Sequence, residues 1–330
     1  MSKFNPAAHL KTNTLSPNIE KAPTRDGFGI GIVEVGEQNE QVVALCADLS
    51  ESTRAQKFQE KFPNRFIQMG IQEQNMAVVA VGLALNGKIP FVATYAVFSP
   101  GRNWDQIRIS SCYNEANVKF IGGHAGFTVG PDGATHQALE DIALTQVLPG
   151  MTVFVPADCE EARKVIHAAA AIKGPVYIRL GRAPTPVFTT KDTPFTPGKA
   201  LVMREGKDVA IIGAGPIMHT ALLAADRLVE QGISCRVINC ASVKPLDHDT
   251  IEKAARDCGA VVTCEEHQII GGVGSSIAAV LATAYPVPME FVGMHDSFGE
   301  SGEPEQLLKK YKMDADAIVA AVKKVHKRKR

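Results

Sequence analysis

Along this chain, short runs dense in Val, Ile and Phe alternate with longer segments whose apolar positions recur at helical spacing. The runs that predict strands in the first half are QVVALCAD (41–48), RFIQMG (65–70), IPFVATY (89–95), VKFIGG (118–123), MTVFVPA (151–157) and PVYIRL (175–180). Between them lie helical segments such as QEQNMAVVAVGLALN (72–86), with Gly87 in the position of a C-terminal cap. The Pro- and Thr-rich stretch RAPTPVFTTKDTPFTPG (182–198) breaks the rhythm. Beyond it the alternation restarts: strands DVAIIGAG, SCRVINC, AVVTCEE and MEFVGM, with helices MHTALLAADRLVEQG, LDHDTIEKAARDCG and GVGSSIAAVLATAY between them. The pattern predicts an α/β protein of two domains, each a mainly parallel sheet with helices on both faces. The expected limits are an N-terminal arm over 1–24, a first domain over 25–190 and a second over 191–330.

Composition narrows the function classes. At 330 residues, 45% apolar and 21% charged, the chain is long enough for two cores and carries no bias toward disorder. Thirty-five basic residues balance 35 acidic ones, so no global field points to a nucleic acid or an anionic membrane. The longest apolar run, Met76 to Leu85, is well short of the ~20 residues that span a bilayer. The first two dozen residues lack the apolar core of a signal peptide, so a cytoplasmic location is expected. Seven cysteines without C-x-x-C spacing argue against a disulfide framework or a zinc site and read as reduced, mostly buried thiols. The terminal KKVHKRKR reads better as a solvated helix end favoured by the helix dipole than as a nucleic-acid or import signal.

Two glycine-rich turns, GAGPIM (213–218) and GGVGSS (271–276), follow strands and open helices. The first lacks the third glycine of a dinucleotide fingerprint, and either is accounted for by a tight turn. His124, Asp132 and His136 have metal-capable chemistry but no standard ligand spacing. Glu73 is more informative. It stands at the mouth of an apolar helix, where a first-turn carboxylate interacting with the helix dipole is the ordinary explanation. Its company suggests more: CADLSEST ends one strand, VATYAVFSPGRNWDQIR supplies aromatic rings at the end of another, and GGHAGFTVGPDGATHQALED places two histidines and an aspartate in a glycine-rich loop. In a parallel sheet all these strand ends meet at one edge, where ligands bind.

GIQEQNM, TYAVF and GPDGATHQ, in this order, resemble the pyrimidine-binding domain of the transketolase family of thiamine diphosphate enzymes, and residues 183–330, with DSFGESG, resemble the family's C-terminal domain. No Gly-Asp-Gly occurs in the chain, so the resemblance is to the C-terminal half of a split transketolase. It implies a partner subunit carrying the Gly-Asp-Gly motif and the Mg2+ ligands, an α2β2 assembly, and no metal ligands here.

The resemblance also assigns roles. Glu73 would hydrogen-bond N1′ of the aminopyrimidine, favouring the imino tautomer that takes the proton from thiazolium C2; burial against apolar surface favours the neutral carboxyl this requires. Tyr95 and Phe98 would line the pyrimidine, and Asp48 lies near the cofactor, with a helix N-cap as its ordinary alternative. Arg25, Ser52 and Arg182 would hold a terminal phosphate. His124, Asp132 and His136 would contact sugar hydroxyls, with both histidines also stabilising oxygen atoms or moving protons. The implied activity is transfer of a two-carbon ketol unit from a ketose phosphate to an aldose phosphate, as in pentose phosphate metabolism. Gln74, Gly101, Ala134 and the string His124-Ala125-Gly126 depart from the family pattern and leave the sugars open. A 2-oxoacid dehydrogenase E1 β subunit has the same domain order; the Asp-Gly-x-Thr-His string and Arg182 favour a sugar phosphate. A catalytically silent subunit of the same fold is disfavoured by Glu73.

Overall fold

The computed structural model describes residues 4–329. Its larger sheet has seven strands in the order Ser242–Lys244, Thr152–Phe154, Val176–Arg179, Lys119–Gly123, Ile89–Tyr95, Val42–Cys46 and Phe66–Gln68. All neighbours are parallel except the first pair. The smaller sheet runs Met289–Met294, Val261–Gln268, Val209–Gly213, Cys235–Asn239 and Leu201–Arg204, again with one antiparallel edge. A short antiparallel pair, Lys21–Ala22 with Thr185–Pro186, ties the start of the chain to the segment between the sheets.

The six strands expected in the first half and the four in the second are all present. The two antiparallel edges carry no long apolar run. Ser242–Lys244, only three residues long, leaves the second half of the chain to complete the edge of the first sheet. Lys244 Nζ there donates 2.8 Å to the carbonyl of Gln146. The helix Glu73–Leu85 ends as its glycine suggests: Gly87 has φ +85°, and the amides of Gly87 and Lys88 donate to the carbonyls of Ala84 and Leu83.

The GGVGSS turn is explained by a carboxylate from within the fold. Glu265 Oε2 and Oε1 accept from the amides of Val273 and Gly274 at 2.7 and 2.9 Å, so the N-terminus of the helix Val273–Ala284 is already occupied by a carboxyl group. Burial pushes the Glu265 carboxyl up to about 7 against the pull of those amides. The basic C-terminal helix folds back on the protein: Lys324 Nζ meets Glu290 at 2.8 Å, and Arg328 donates to the Met289 carbonyl at 2.9 Å. Arg330, the last residue of the basic string, lies outside the described residues. The seven cysteines are free thiols, six of them buried.

One close contact positions the functional edge. The helix Thr24–Gln38 crosses the helix Cys159–Ala171 on Gly27 and Gly31, where a Cβ would stand 2.1 Å from the Cys159 carbonyl and 2.9 Å from Ile166 Cβ. Arg25 sits in the first turn of that helix. A Gly27→Ala substitution must therefore push the helices apart; we expect a loss of roughly 1–3 kcal/mol in denaturant unfolding, whereas Gly82→Ala, in a helix interior with nothing within 4 Å, should raise the midpoint, adding about 0.5–1 kcal/mol of stability.

Candidate functional site

The C-terminal ends of four parallel strands converge where the sequence places its candidate residues. Strand Val42–Cys46 delivers Asp48, Ile89–Tyr95 delivers Tyr95 and Phe98, Lys119–Gly123 delivers His124, and Val176–Arg179 leads to Arg182. Two of these residues leave their strands in left-handed conformations, Asp48 at φ +60° and His124 at φ +54°. Non-glycine residues in this region carry strain of about 1–3 kcal/mol and concentrate at functional sites. Asp48 is exposed and does not cap a helix: Leu49 holds the N-cap position of Ser50–Thr53, and the Asp48 amide instead donates to Gln68 Oε1 at 2.8 Å.

The aromatic and imidazole residues form one stack. The Tyr95 ring lies 3.8 Å from that of His124 and 5.7 Å from that of Phe98, both near-parallel. His136 meets the stack edge-on, 5.5 Å from Phe98 and 6.2 Å from Tyr95. The residues assigned to the pyrimidine and those assigned to the sugar therefore share one wall. His136 is half-buried and its Nδ1 lies 2.9 Å from the Thr135 hydroxyl; Asp132 is exposed.

The cationic residues divide into two groups. Arg25 Nη1 donates to the Ser52 carbonyl at 2.8 Å and lies 3.2 Å from His124 Nε2. Arg182 donates to the Val129 carbonyl at 2.7 Å and lies 4.0 Å from Asp132. Burial, then the charges of Arg25 and Arg182, push the His124 imidazole down to about 3, so it is neutral across the physiological range. A guanidinium can only donate, so Nε2 of the neutral ring accepts and the proton sits on Nδ1. That Nδ1 is buried without a partner, which leaves one uncommitted N–H for a ligand oxygen.

Glu73 is the first residue of its helix and only 3% exposed. Its surroundings differ from the apolar ones expected. Arg102 Nη1 lies 3.2 and 3.1 Å from the two carboxylate oxygens, and Thr94 Oγ1 lies 3.5 Å from Oε1. Asn103 Nδ2 donates to the Glu73 carbonyl at 3.2 Å and to Ser99 Oγ at 3.1 Å. Beside the carboxylate is a cavity of about 170 Å³ lined in part by Ala47, Leu49, Ile71 and Phe98. Arg102 is the residue that sequence reasoning passed over. It stands inside the aromatic stretch that drew attention, but nothing in a linear string pairs it with a carboxylate 29 positions earlier.

The loop that carries the two histidines is held from the second half of the chain. Glu266 Oε1 accepts from the Thr128 amide at 2.8 Å, and Gln137 Nε2 donates to the Glu300 carbonyl at 2.8 Å. Gly126, at φ +79°, lies so close to Glu266 that a Cβ would stand 2.1 Å from Oε1.

The family model described as transketolase, pyrimidine binding domain, matches residues 20–186, and that described as transketolase, C-terminal domain, matches residues 198–318. A putative transketolase C-terminal section of Methanocaldococcus jannaschii is 40% identical over 90% of this chain and 94% of its own length. The 6-deoxy-6-sulfo-D-fructose transketolase subunit SqwH of Clostridium sp. (strain MSTE9) is 40% identical over 94% of this chain and 97% of its own. Among solved structures, one titled split gene transketolase, inactive beta4 tetramer, superposes with a TM-score of 0.88 at 49% identity, over 93% of this chain and 99% of that one.

The His124 assignment is open to direct measurement. In 15N-resolved NMR the ring should carry its proton on Nδ1 and stay neutral down to about pH 4, against the ordinary histidine midpoint near 6.5. Arg25→Gln should release the tautomer and move the midpoint upward; a ring that charges near pH 6.5 in the unaltered protein would refute the assignment.

Proposed function

We propose that this chain, which belongs to the transketolase family, is the subunit of a two-component transketolase that carries the pyrimidine-binding and C-terminal domains, over 25–190 and 191–330. Its reaction is transfer of a two-carbon ketol unit from a ketose phosphate to an aldose phosphate, in company with a second subunit that binds the diphosphate and Mg2+. The observation that carries this reading is a carboxylate, Glu73, buried to 3% exposure yet bordering a cavity walled by Phe98 at the edge of the Tyr95–His124 stack. Among ordinary core residues, a carboxylate so placed would be a liability.

The residues present fit an aminopyrimidine: a carboxylate for a ring nitrogen, a flat ring for stacking, and apolar walls from Leu49 and Ile71. Thiamine diphosphate, when bound, supplies the electron sink for cleaving and forming the carbon–carbon bond. Glu73 would hold a proton against N1′, and Tyr95 and Phe98 would fix the plane of the pyrimidine. Arg25 and Arg182 would bind the terminal phosphate with Ser52, and the Nδ1–H of His124 would reach an oxygen of the bound sugar phosphate. Asp132 and His136 would face the sugar hydroxyls from the glycine-rich loop.

The need for a partner is supported by the helix Glu73–Leu85. It is apolar around its circumference, the signature of a covered helix, yet Val78 and Leu85 are 46% and 66% exposed, and Tyr113 nearby is 83% exposed. An α2β2 assembly would cover this face. A relative described as an inactive β4 tetramer is consistent with a chain that assembles without its partner but does not turn over.

Native mass spectrometry of the complex captured from its source, with thiamine diphosphate and Mg2+ added, should show a stoichiometric second chain bearing Gly-Asp-Gly and retained cofactor. In that complex Glu73→Ala should lower turnover by roughly 10²–10⁴-fold with assembly preserved. Full activity in the variant would remove the catalytic assignment, and a lone chain without cofactor would favour a silent subunit.

A further inference from the structure

We propose that Arg102, from one wall of the cavity beside Glu73, holds the carboxylate and the Phe98 face that the cofactor's aminopyrimidine would take and must swing out for it to dock, a proposal that rests on the reading of Glu73 and Phe98 as pyrimidine contacts. Two independent contacts of one side chain support it. Arg102 Nη1 lies 3.2 and 3.1 Å from the Glu73 oxygens, and the guanidinium carbon stands 3.9 Å from the centroid of the Phe98 ring. A guanidinium is planar, stacks on aromatic rings and donates N–H bonds in its own plane. It thus satisfies the carboxylate and the ring together, as a flat nitrogen heterocycle would.

The two partners of this ion pair are unequally held. Glu73 is 3% exposed, with Thr94 beside its carboxylate and Asn103 on its carbonyl. The Arg102 side chain is 47% exposed and makes no other side-chain hydrogen bond among the described residues. The arginine is therefore the member that moves. Until the cofactor arrives, it serves as counter-ion to a carboxylate whose isolation in the protein would be costly. It also covers one face of Phe98, whose ring lines the cavity beside it. Docking then exchanges the N–H donors of Arg102 for a proton shared between the Glu73 carboxyl group and the pyrimidine nitrogen, and the affinity measured is reduced by the free energy that holds Arg102 in place.

The test uses the apo complex with its partner subunit, thiamine diphosphate and Mg2+, comparing the native protein with Arg102→Gln and Arg102→Lys by calorimetry and stopped-flow fluorescence. Trp104, the single tryptophan of the chain and two residues from Arg102, reports locally. Arg102→Gln should bind up to about fivefold tighter, the most that an ion pair of this exposure supplies. Rotation of a half-exposed arginine is far faster than mixing, so association should rise linearly with cofactor concentration in both complexes and the difference should appear in the equilibrium affinity. Arg102→Lys, which keeps the charge but not the plane, should fall between them. A merely structural contact could only weaken binding when lost, so equal or weaker binding by both variants overturns the placeholder role while leaving the site intact. A native complex that retains no thiamine diphosphate overturns the site itself, and the proposal with it.

Discussion

The molecule turns on one buried ion pair. Arg179, at the end of the interior strand Val176–Arg179 and 5% exposed, directs Nε to both oxygens of Asp141 at 3.1 and 3.0 Å; Asp141 is 1% exposed. Its Nη2 donates to the carbonyls of Ala138 and Glu266 at 3.2 and 2.8 Å, and Tyr177 donates to Asp141 at 2.8 Å. One guanidinium thus joins the large sheet, the end of the histidine loop and the strand Val261–Gln268 of the second domain. Half of such a pair cannot be removed cheaply, since the survivor is a buried charge worth roughly 3–5 kcal/mol of destabilisation. The pair also fixes neighbouring choices: Gly122 must lack a side chain because a Cβ would stand 2.0 Å from the Tyr177 hydroxyl.

From this junction the functional edge follows. Arg179 holds the Glu266 backbone, the Glu266 carboxylate holds Thr128, and Thr128 lies in the loop between His124 and His136. The second domain therefore acts on the ligand edge without contributing a residue to the aromatic stack. Its sheet sets where the loop stands, and the strained backbone of His124 is kept in place by packing and by Arg25 rather than by its own preference.

The layered α/β plan was legible because parallel strands covered on both faces leave apolar runs that survive in a linear reading, as IPFVATY and MEFVGM do. The edges were not: Ser242–Lys244 is too short to have a period and becomes a strand only because Thr152–Phe154 offers it a partner. In the site, residues at strand ends could be anticipated, since topology alone carries Tyr95, His124 and Glu73 to one edge. Contacts between side chains could not. The close approach of Arg25 to His124, the Glu266–Thr128 bond and the hold of Arg102 on Glu73 join positions 99, 138 and 29 residues apart, and no local pattern encodes them.

The same limit explains why Glu73 was anticipated in apolar surroundings. The helix it opens is apolar, and its sequence describes only what lies along the helix, while the carboxylate projects from the N-terminal end toward the neighbouring strand end. A carboxylate buried there has three ways to be tolerated: protonation, a fixed internal donor, or a removable cation. Glu265 takes the second route, with two backbone amides that have no other place to go. Glu73 takes the third. Backbone amides like those that hold Glu265 cannot withdraw for a ligand, whereas an arginine anchored only by the carboxylate and one ring can leave the carboxyl group free on exchange. The contrast between two buried glutamates at two helix starts thus separates a structural carboxylate from one kept ready for a ligand.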